Sequence, residues 1–346
     1  MSEAVLPADA DLGALIRQAT LRPLTAAEAE AAFVEVMEGR ATPVQIAALL
    51  VAIRVRGAVA SEVAGGVRAL RRAMVPVPTE PAGLVDTCGT GGGAVTTFNI
   101  STAAALLAAG AGVRVAKHGN RSFTSRCGSA DVLEALGVRL ELTPEQEARV
   151  LERTGIVFMF APLHHPAMKH VGPIRRELGM PTIMNVLGPV TNPAGARRQV
   201  VGVSDPALLE LIAGALAELG HERALVVHGA PGLDELSPIG PTEMVEVADG
   251  RVERRTFDPA ELGWEPFDPK GLGGAECDEN ARTVEGVLRG KVGGVARAAV
   301  VLNAGAAVYV AGLADTLIDG VARADEALGS GAGYEKLRQL RAASRR

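Results

Sequence analysis

Apolar residues in the first eighty positions recur at helical spacing, with no strand-like alternation among them. Thr25-Ala26-Ala27-Glu28 has capping-box spacing and predicts a helix that Gly39 ends; Thr42-Pro43 opens another, stopped at Gly57. The run Val75 to Pro81 holds three prolines, which block helix continuation and favour extended backbone. It marks a domain boundary.

Beyond it, short apolar runs alternate with capped helices, the pattern of parallel β-α-β units. Strands are expected at Leu84 to Thr87, Val113 to Lys117, Ile156 to Phe160, Val200 to Val203 and Ala224 to His228. Helices should open at Thr143-Pro144 and at Asp205-Pro206, where a capping residue precedes proline. Met244 to Phe257, with Asp249-Gly250 at its middle, reads as a hairpin added to the sheet. Ala296 to Leu313 is apolar but interrupted by Arg297 and Asn303, so it reads as a buried helix rather than a membrane span.

Composition narrows the classes. The chain has 346 residues, 48% of them hydrophobic, enough for a large core and about two domains. A net charge of -5 disfavours non-specific nucleic-acid binding, which draws its affinity from many basic groups. The N-terminal stretch carries acids where a secretory signal carries Lys or Arg, and no apolar run is long enough for a bilayer, so a cytoplasmic protein is expected. Cys88, Cys127 and Cys277 are widely spaced, which suggests neither a disulfide framework nor a zinc site.

Two segments carry candidate chemistry. Asp86-Thr87-Cys88-Gly89-Thr90-Gly91-Gly92-Gly93 follows a predicted strand, and Asn99-Ile100-Ser101-Thr102 leads into a helix-like run. Glycines there let backbone N–H groups approach an anion, and the helix aims its positive end at the same place. No lysine follows in the spacing of nucleoside-triphosphate loops. After the next strand, Lys117 to Asp131 gathers Lys117, Arg121 and Arg126 with hydroxyls and glycines, a composition suited to phosphate oxygens. Both loops would leave the carboxyl ends of neighbouring parallel strands, where open α/β sheets bind ligands.

Together with His165-Pro166-Ala167-Met168-Lys169, Asn185 to Pro193, His228-Gly229 and Leu233-Asp234-Glu235, these segments resemble the anthranilate phosphoribosyltransferase family over almost the whole chain. The resemblance implies a small all-helical domain, residues 1–80, completed by residues near 165–195, and a large α/β domain with a mostly parallel central sheet, residues 81–346. It also implies a homodimer formed through the helical domain. Phosphoribosyl pyrophosphate would bind at Gly89, Gly92, Gly93, Thr97, Asn99, Ile100, Ser101 and Thr102, and at Lys117, His118, Gly119, Asn120, Arg121, Ser122, Phe123, Thr124, Ser125 and Ser129. Ser101, Asp234 and Glu235 would hold magnesium, two ions per site, and adjacent carboxylates suit that hard cation. Asn120 and Arg175 would contact anthranilate, with His118, His165 and Pro189 lining its tunnel; the catalytic roles fall to Lys117, Asn120 and Arg175.

One position departs from the family. Gly93 stands where the glycine turn usually ends in Asp. An acid beside a metal diphosphate would attract further cation, so activity should survive with a magnesium optimum different from that of a Gly93→Asp variant. The competing enzyme reading, a pyrimidine nucleoside phosphorylase, uses Lys-His-Ser where this chain has Lys117-His118-Gly119-Asn120-Arg121. A nucleic-acid-binding relative without transferase activity fits poorly with the acidic balance and the Asp234-Glu235 pair.

Overall fold

The structure, a computed structural model, describes residues 11–345 except 93, 94, 123–125 and 266. Four helices come first: α1 (Leu12–Ala19), α2 (Ala26–Met37), α3 (Pro43–Arg56) and α4 (Ala60–Ala73). The expected signals act at their ends. Thr25 Oγ1 accepts the Glu28 N–H while Glu28 accepts the Thr25 N–H at 2.8 Å, and Thr42 with Gln45 repeats the arrangement ahead of Pro43. These reciprocal bonds satisfy backbone donors that the first helical turn leaves unpaired.

A sheet follows, built from β1 (Leu84–Gly89), β2 (Arg114–Gly119), β3 (Ile156–Phe160), β4 (Arg198–Gly202), β5 (Arg223–Gly229), β6 (Thr242–Ala248) and β7 (Arg251–Phe257). Its order is β3-β2-β1-β4-β5-β6-β7. The first five strands are parallel, and β6 and β7 form the antiparallel hairpin that Asp249-Gly250 predicts. Every predicted strand is present, most of them longer by a residue or two. Strand order reverses at β1, whose neighbours are β2 and β4, and such a switch point opens a crevice at the strands' carboxyl ends.

Helices α5 (Ile100–Gly110), α6 (Ser129–Ala135) and α7 (Pro144–Thr154) alternate with the strands. After β3 the chain forms the short α8 (Ala161–His164), α9 (Met168–Leu178) and α10 (Met184–Leu187), then returns to β4 and α11 (Leu208–Glu218). The helix expected at Asp205-Pro206 begins two residues later. Asp205 Oδ1 accepts the Ala207 N–H, and a tight turn precedes α11. The chain ends with α12 (Cys277–Leu288), α13 (Gly294–Val310), α14 (Leu317–Gly329) and α15 (Ala332–Ser344).

Two apolar clusters hold these layers. One joins α5 and α13 to the sheet through residues such as Leu106, Leu107, Val300 and Leu302, all essentially inaccessible. Full burial of such a side chain stabilises the fold by about 1.5–3 kcal/mol. The other joins α1 to α4 with Val171 and Ile174 of α9, Leu187 of α10 and Ile212 of α11. The segment after β3 therefore packs with the N-terminal bundle. Where the chain crosses between bundle and sheet it is laced to itself: the Val75 N–H donates to the His164 carbonyl at 2.8 Å, and the Val77 N–H to the Pro193 carbonyl at 3.0 Å.

Candidate active site

The crevice at the carboxyl ends of β1, β4 and β5 brings the glycine turn and the acidic pair together. Gly89 and Gly202 are register partners on β1 and β4, and Asp234, from the loop after β5, fills the space above them. A Cβ on Gly89 would lie 2.6 Å from Asp234 Oδ2, and one on Gly202 would lie 1.5 Å from the Asp234 carbonyl oxygen. Only glycine admits that approach. Asp234 Oδ2 accepts the Gly91 N–H at 3.0 Å. A negative oxygen thus already occupies one donor of the expected anion cradle. Gly91 and Gly92 have φ of 64° and 77°, the left-handed conformation the turn requires.

Glu235 lies by the amino end of α5, lining one small pocket with Ser101. The residue keeps some solvent contact overall, yet its Oε2 is shut off and has no hydrogen-bond partner. Burial, and then the Asp234 charge, push the Glu235 carboxyl well above the usual carboxylate range, with Lys117 acting against them. Two crowded carboxylates, one with an orphaned oxygen, beside the Ser101 side chain in a small pocket form a donor set suited to a hard divalent cation. Among the described residues no cluster of three or more His, Cys, Asp or Glu forms a metal cage. Asn303 of α13 braces the pair, accepting the Leu236 N–H and donating to the Leu236 carbonyl, each at 2.9 Å.

Lys117, at the end of β2, is buried, and its Nζ donates to the Thr87 carbonyl. Burial lowers its pKa, opposed chiefly by Asp86. Asp86 is inaccessible; it accepts the His118 N–H at 3.1 Å and the Asn192 amide at 2.8 Å, and burial pushes its carboxyl up to about 6. Gln199 donates to the Pro189 carbonyl at 2.9 Å, so Pro189 is tied to the strand beside β1.

The second loop is organised by Asp131, whose Oδ2 accepts the N–H groups of Ser122 and Gly128 at 3.1 and 2.9 Å. Arg121, expected on phosphate, instead pairs with Asp131 and Glu134, both at 2.8 Å. The exposed Asn120 side chain accepts the Arg121 N–H at 2.7 Å, and Ser129 donates to the Asn120 carbonyl at 3.3 Å. Asn99 also has a bracing part: it donates to the Cys127 carbonyl and accepts from Asn280 of α12. Thr97 bridges to Gly273, Ile100 is buried, and Thr102 Oγ1 is buried without a partner. Gly93, Phe123, Thr124 and Ser125 lie outside the described residues.

On the acceptor side, His118 and His165 meet edge to face, their Nε2 atoms 3.2 Å apart. Burial drives both down, His165 to about 4, so the pair is apolar in character near neutral pH. Arg175 on α9 is half-buried and makes no ion pair with any described residue, and burial alone lowers its pKa. A guanidinium removed from water without a countercharge is a ready carboxylate receptor.

Asp86, Gln199 and Asn303 carry no role in the sequence reading. The available signal was polarity inside apolar runs, most visibly at Asn303.

The two-part fold is that of a glycosyltransferase family. A family model described as the glycosyl transferase family, helical bundle domain, matches residues 12–74, and one for the a/b domain of that family matches residues 81–334. The chain is 52% identical to an anthranilate phosphoribosyltransferase from Rubrobacter xylanophilus, over 96% of this chain and 97% of that one. A crystal structure of the Thermus thermophilus anthranilate phosphoribosyltransferase aligns with a TM-score of 0.91 at 44% identity, covering 96% of this chain and 99% of that one. The Saccharomyces cerevisiae enzyme, in complex with phosphoribosyl pyrophosphate and magnesium, aligns at 0.87 with 26% identity, covering 97% and 98%. The chain belongs to the anthranilate phosphoribosyltransferase family.

Proposed function

We infer that the chain transfers the 5-phosphoribosyl group of phosphoribosyl pyrophosphate to the amine of anthranilate, releasing pyrophosphate in tryptophan biosynthesis. The observation that carries this reading is the pairing in one molecule of an acid-lined glycine turn with an unpaired, half-buried Arg175. The first suits a metal-bound diphosphate and the second a carboxylate acceptor.

Magnesium, when bound, neutralises the diphosphate and makes it a better leaving group. Asp234, Glu235 and Ser101 would hold it, as two ions per site. Gly92 and the α5 amino end, with Asn99, Ile100, Ser101 and Thr102, would cradle phosphate oxygens, while Lys117 adds positive charge. The carbon–nitrogen bond forms as the anomeric carbon–oxygen bond breaks, and the amine proton is lost to solvent. An aromatic amine is neutral at pH 7, so the residues need supply no strong base; positioning and electrostatics dominate. Arg175 and Asn120 orient anthranilate, and neutral His118 and His165 with Pro189 provide the walls around its ring. Arg121 serves by shaping the loop through Asp131 and Glu134.

The domain division at about residue 80, with residues near 165–195 completing the bundle, is supported by the shared apolar cluster. A homodimer through the bundle is supported by exposed Leu21, Val44 and Val55. Val44 and Val55 are eleven residues apart on α3, which is about three helical turns and places them on one face. Val44→Glu with Val55→Glu should halve the mass seen by light scattering. Cys88, Cys127 and Cys277 form no disulfide with one another, which supports a cytoplasmic setting. The transfer is tested by loss of anthranilate fluorescence with phosphoribosyl pyrophosphate, with and without magnesium. Phosphorolysis of thymidine or uridine in place of that loss would overturn the reading.

A further inference from the structure

The crossing between bundle and sheet contains a buried polar contact that the reaction does not use. His164, the last residue of α8, is 1% exposed at its side chain, and its partner Glu147 on α7 is fully buried. His164 Nδ1 lies 2.8 Å from the Val75 carbonyl oxygen, and Nε2 lies 3.1 and 3.0 Å from the two Glu147 carboxylate oxygens. The Val75 N–H returns a bond to the His164 carbonyl at 2.8 Å. Val75 belongs to the segment leaving α4, so one side chain joins the exit from the bundle to a helix of the α/β layer.

Both ring nitrogens face oxygen acceptors, and a neutral imidazole carries only one N–H. The two contacts are both hydrogen bonds only when one further proton lies between Nε2 and Glu147. It makes no difference whether the pair is drawn as imidazolium with carboxylate or imidazole with carboxylic acid. Without that proton, the ring either turns its lone pair toward Glu147 or gives up the Val75 carbonyl.

We propose that His164 is a positioning residue: the proton it shares with Glu147 ties the Val75 crossing to α7 and holds His165 and α9, with Arg175, in register with the acceptor pocket. This rests on the reading of the site given above. His165 is the next residue and touches His118, and α9 starts three residues beyond it. The other titratable groups near the ring are His165 and His118, both held neutral by burial, so among the described residues Glu147 is the one acid that faces it. Burial works against a charged His164, but the Glu147 hydrogen bond and charge outweigh it and raise its pKa, while burial raises Glu147. Both directions mean that the folded pair holds its proton more tightly than the separated groups. The contribution is present below the ordinary imidazole value of about 6.5 and is lost as pH rises through the folded value.

Glu147→Gln separates this role from simple structure, because a glutamine amide donates to a neutral Nε2 while Nδ1–H still serves Val75. The tie then needs no titratable proton. In the wild type, the anthranilate KM at saturating donor should rise about fivefold between about pH 6 and pH 9, the worth of one buried hydrogen bond, with kcat little changed. Glu147→Gln should flatten that rise, and His164→Phe should leave KM high at every pH. Nitrogen-15 spectra of the histidines, in protein without substrate, should show His164 losing a proton above about 6.5. A His164 that is singly protonated and unpaired with Glu147 at pH 6 overturns the proposal, as does a pH-independent wild-type KM. Absence of any anthranilate transfer would instead sink the functional reading, and the histidine spectra of wild type and Glu147→Gln would still decide whether the shared proton exists.

Discussion

Gly202 and Asp234 touch so closely that a single methyl group on Gly202 would fall 1.5 Å from the Asp234 carbonyl oxygen. Backbone packed on backbone cannot yield as a side chain can. Gly202→Ala should therefore displace the acidic loop and cost stability at the upper end of overpacking, about 3 kcal/mol. Gly89→Ala clashes with the movable Asp234 carboxylate and makes an ordinary contact with the Gly202 carbonyl, so it should melt within a few degrees of wild type while its magnesium requirement for turnover rises. Differential scanning calorimetry and magnesium titrations of the two variants check the contrast; equal melting shifts would contradict it.

Replacing Asp234 by Asn together with Glu235 by Gln removes a crowded charge pair whose Oε2 is buried and unpartnered. Folding should be unharmed or improved, because a buried carboxyl with an unpartnered oxygen, crowded by a second carboxylate, costs free energy. Turnover should fall by about a hundredfold or more, the scale expected when electrostatic stabilisation of a leaving group is lost. Denaturant unfolding and steady-state kinetics across magnesium concentrations measure both halves. Wild-type kinetics would defeat the metal assignment.

Among the described residues Arg175 has no acid beside it, so its partner is expected to arrive with the acceptor. Arg175→Ala should raise the anthranilate KM by about ten- to a hundredfold and leave the donor KM within about twofold, since charged hydrogen bonds contribute about 1.5–3 kcal/mol. Arg175→Lys should recover only part of the loss, because an ammonium does not reproduce the planar two-pronged contact. Equal effects on both substrates would place Arg175 elsewhere in the reaction.

His165 is held neutral, its folded value depressed to about 4 by burial. A histidine depressed in this way contributes stability above its unfolded value of about 6.5 and loses it as pH falls toward 4. Unfolding free energies from about pH 7 to pH 4 should decline more steeply in wild type than in His165→Gln, which has no ring to protonate. Parallel curves would show that His165 does not titrate in this window.

Local signals placed the scaffold well. The capping residues Thr25, Thr42 and Thr143 begin helices where expected, and Asp249-Gly250 turns the hairpin, because each acts within four residues of itself. The sequence singled out the glycine turn and the acidic pair, which the fold brings into contact through Gly91 and Asp234. What escaped depends on strand register: Asp86 and Gln199 are opposite one another only because β1 and β4 pair as they do, and Gln199 fell outside the predicted strand. The ion pairs of Arg121 escaped for a similar reason. Its charge was evident, but the turn of α6 that carries Asp131 and Glu134 back onto it was not. The Val75–His164 tie joins residues 89 apart and has no sequence signature.

In the proposed reaction the glycine turn and the acidic pair grip one metal diphosphate. Crystals soaked with phosphoribosyl pyrophosphate and manganese, recorded at the manganese absorption edge, test this most directly. Anomalous peaks are expected between Asp234, Glu235, Ser101 and the diphosphate, with the phosphates at the glycine turn and the amino end of α5. Manganese and donor bound apart from the crevice at the ends of β1 and β5 would contradict it.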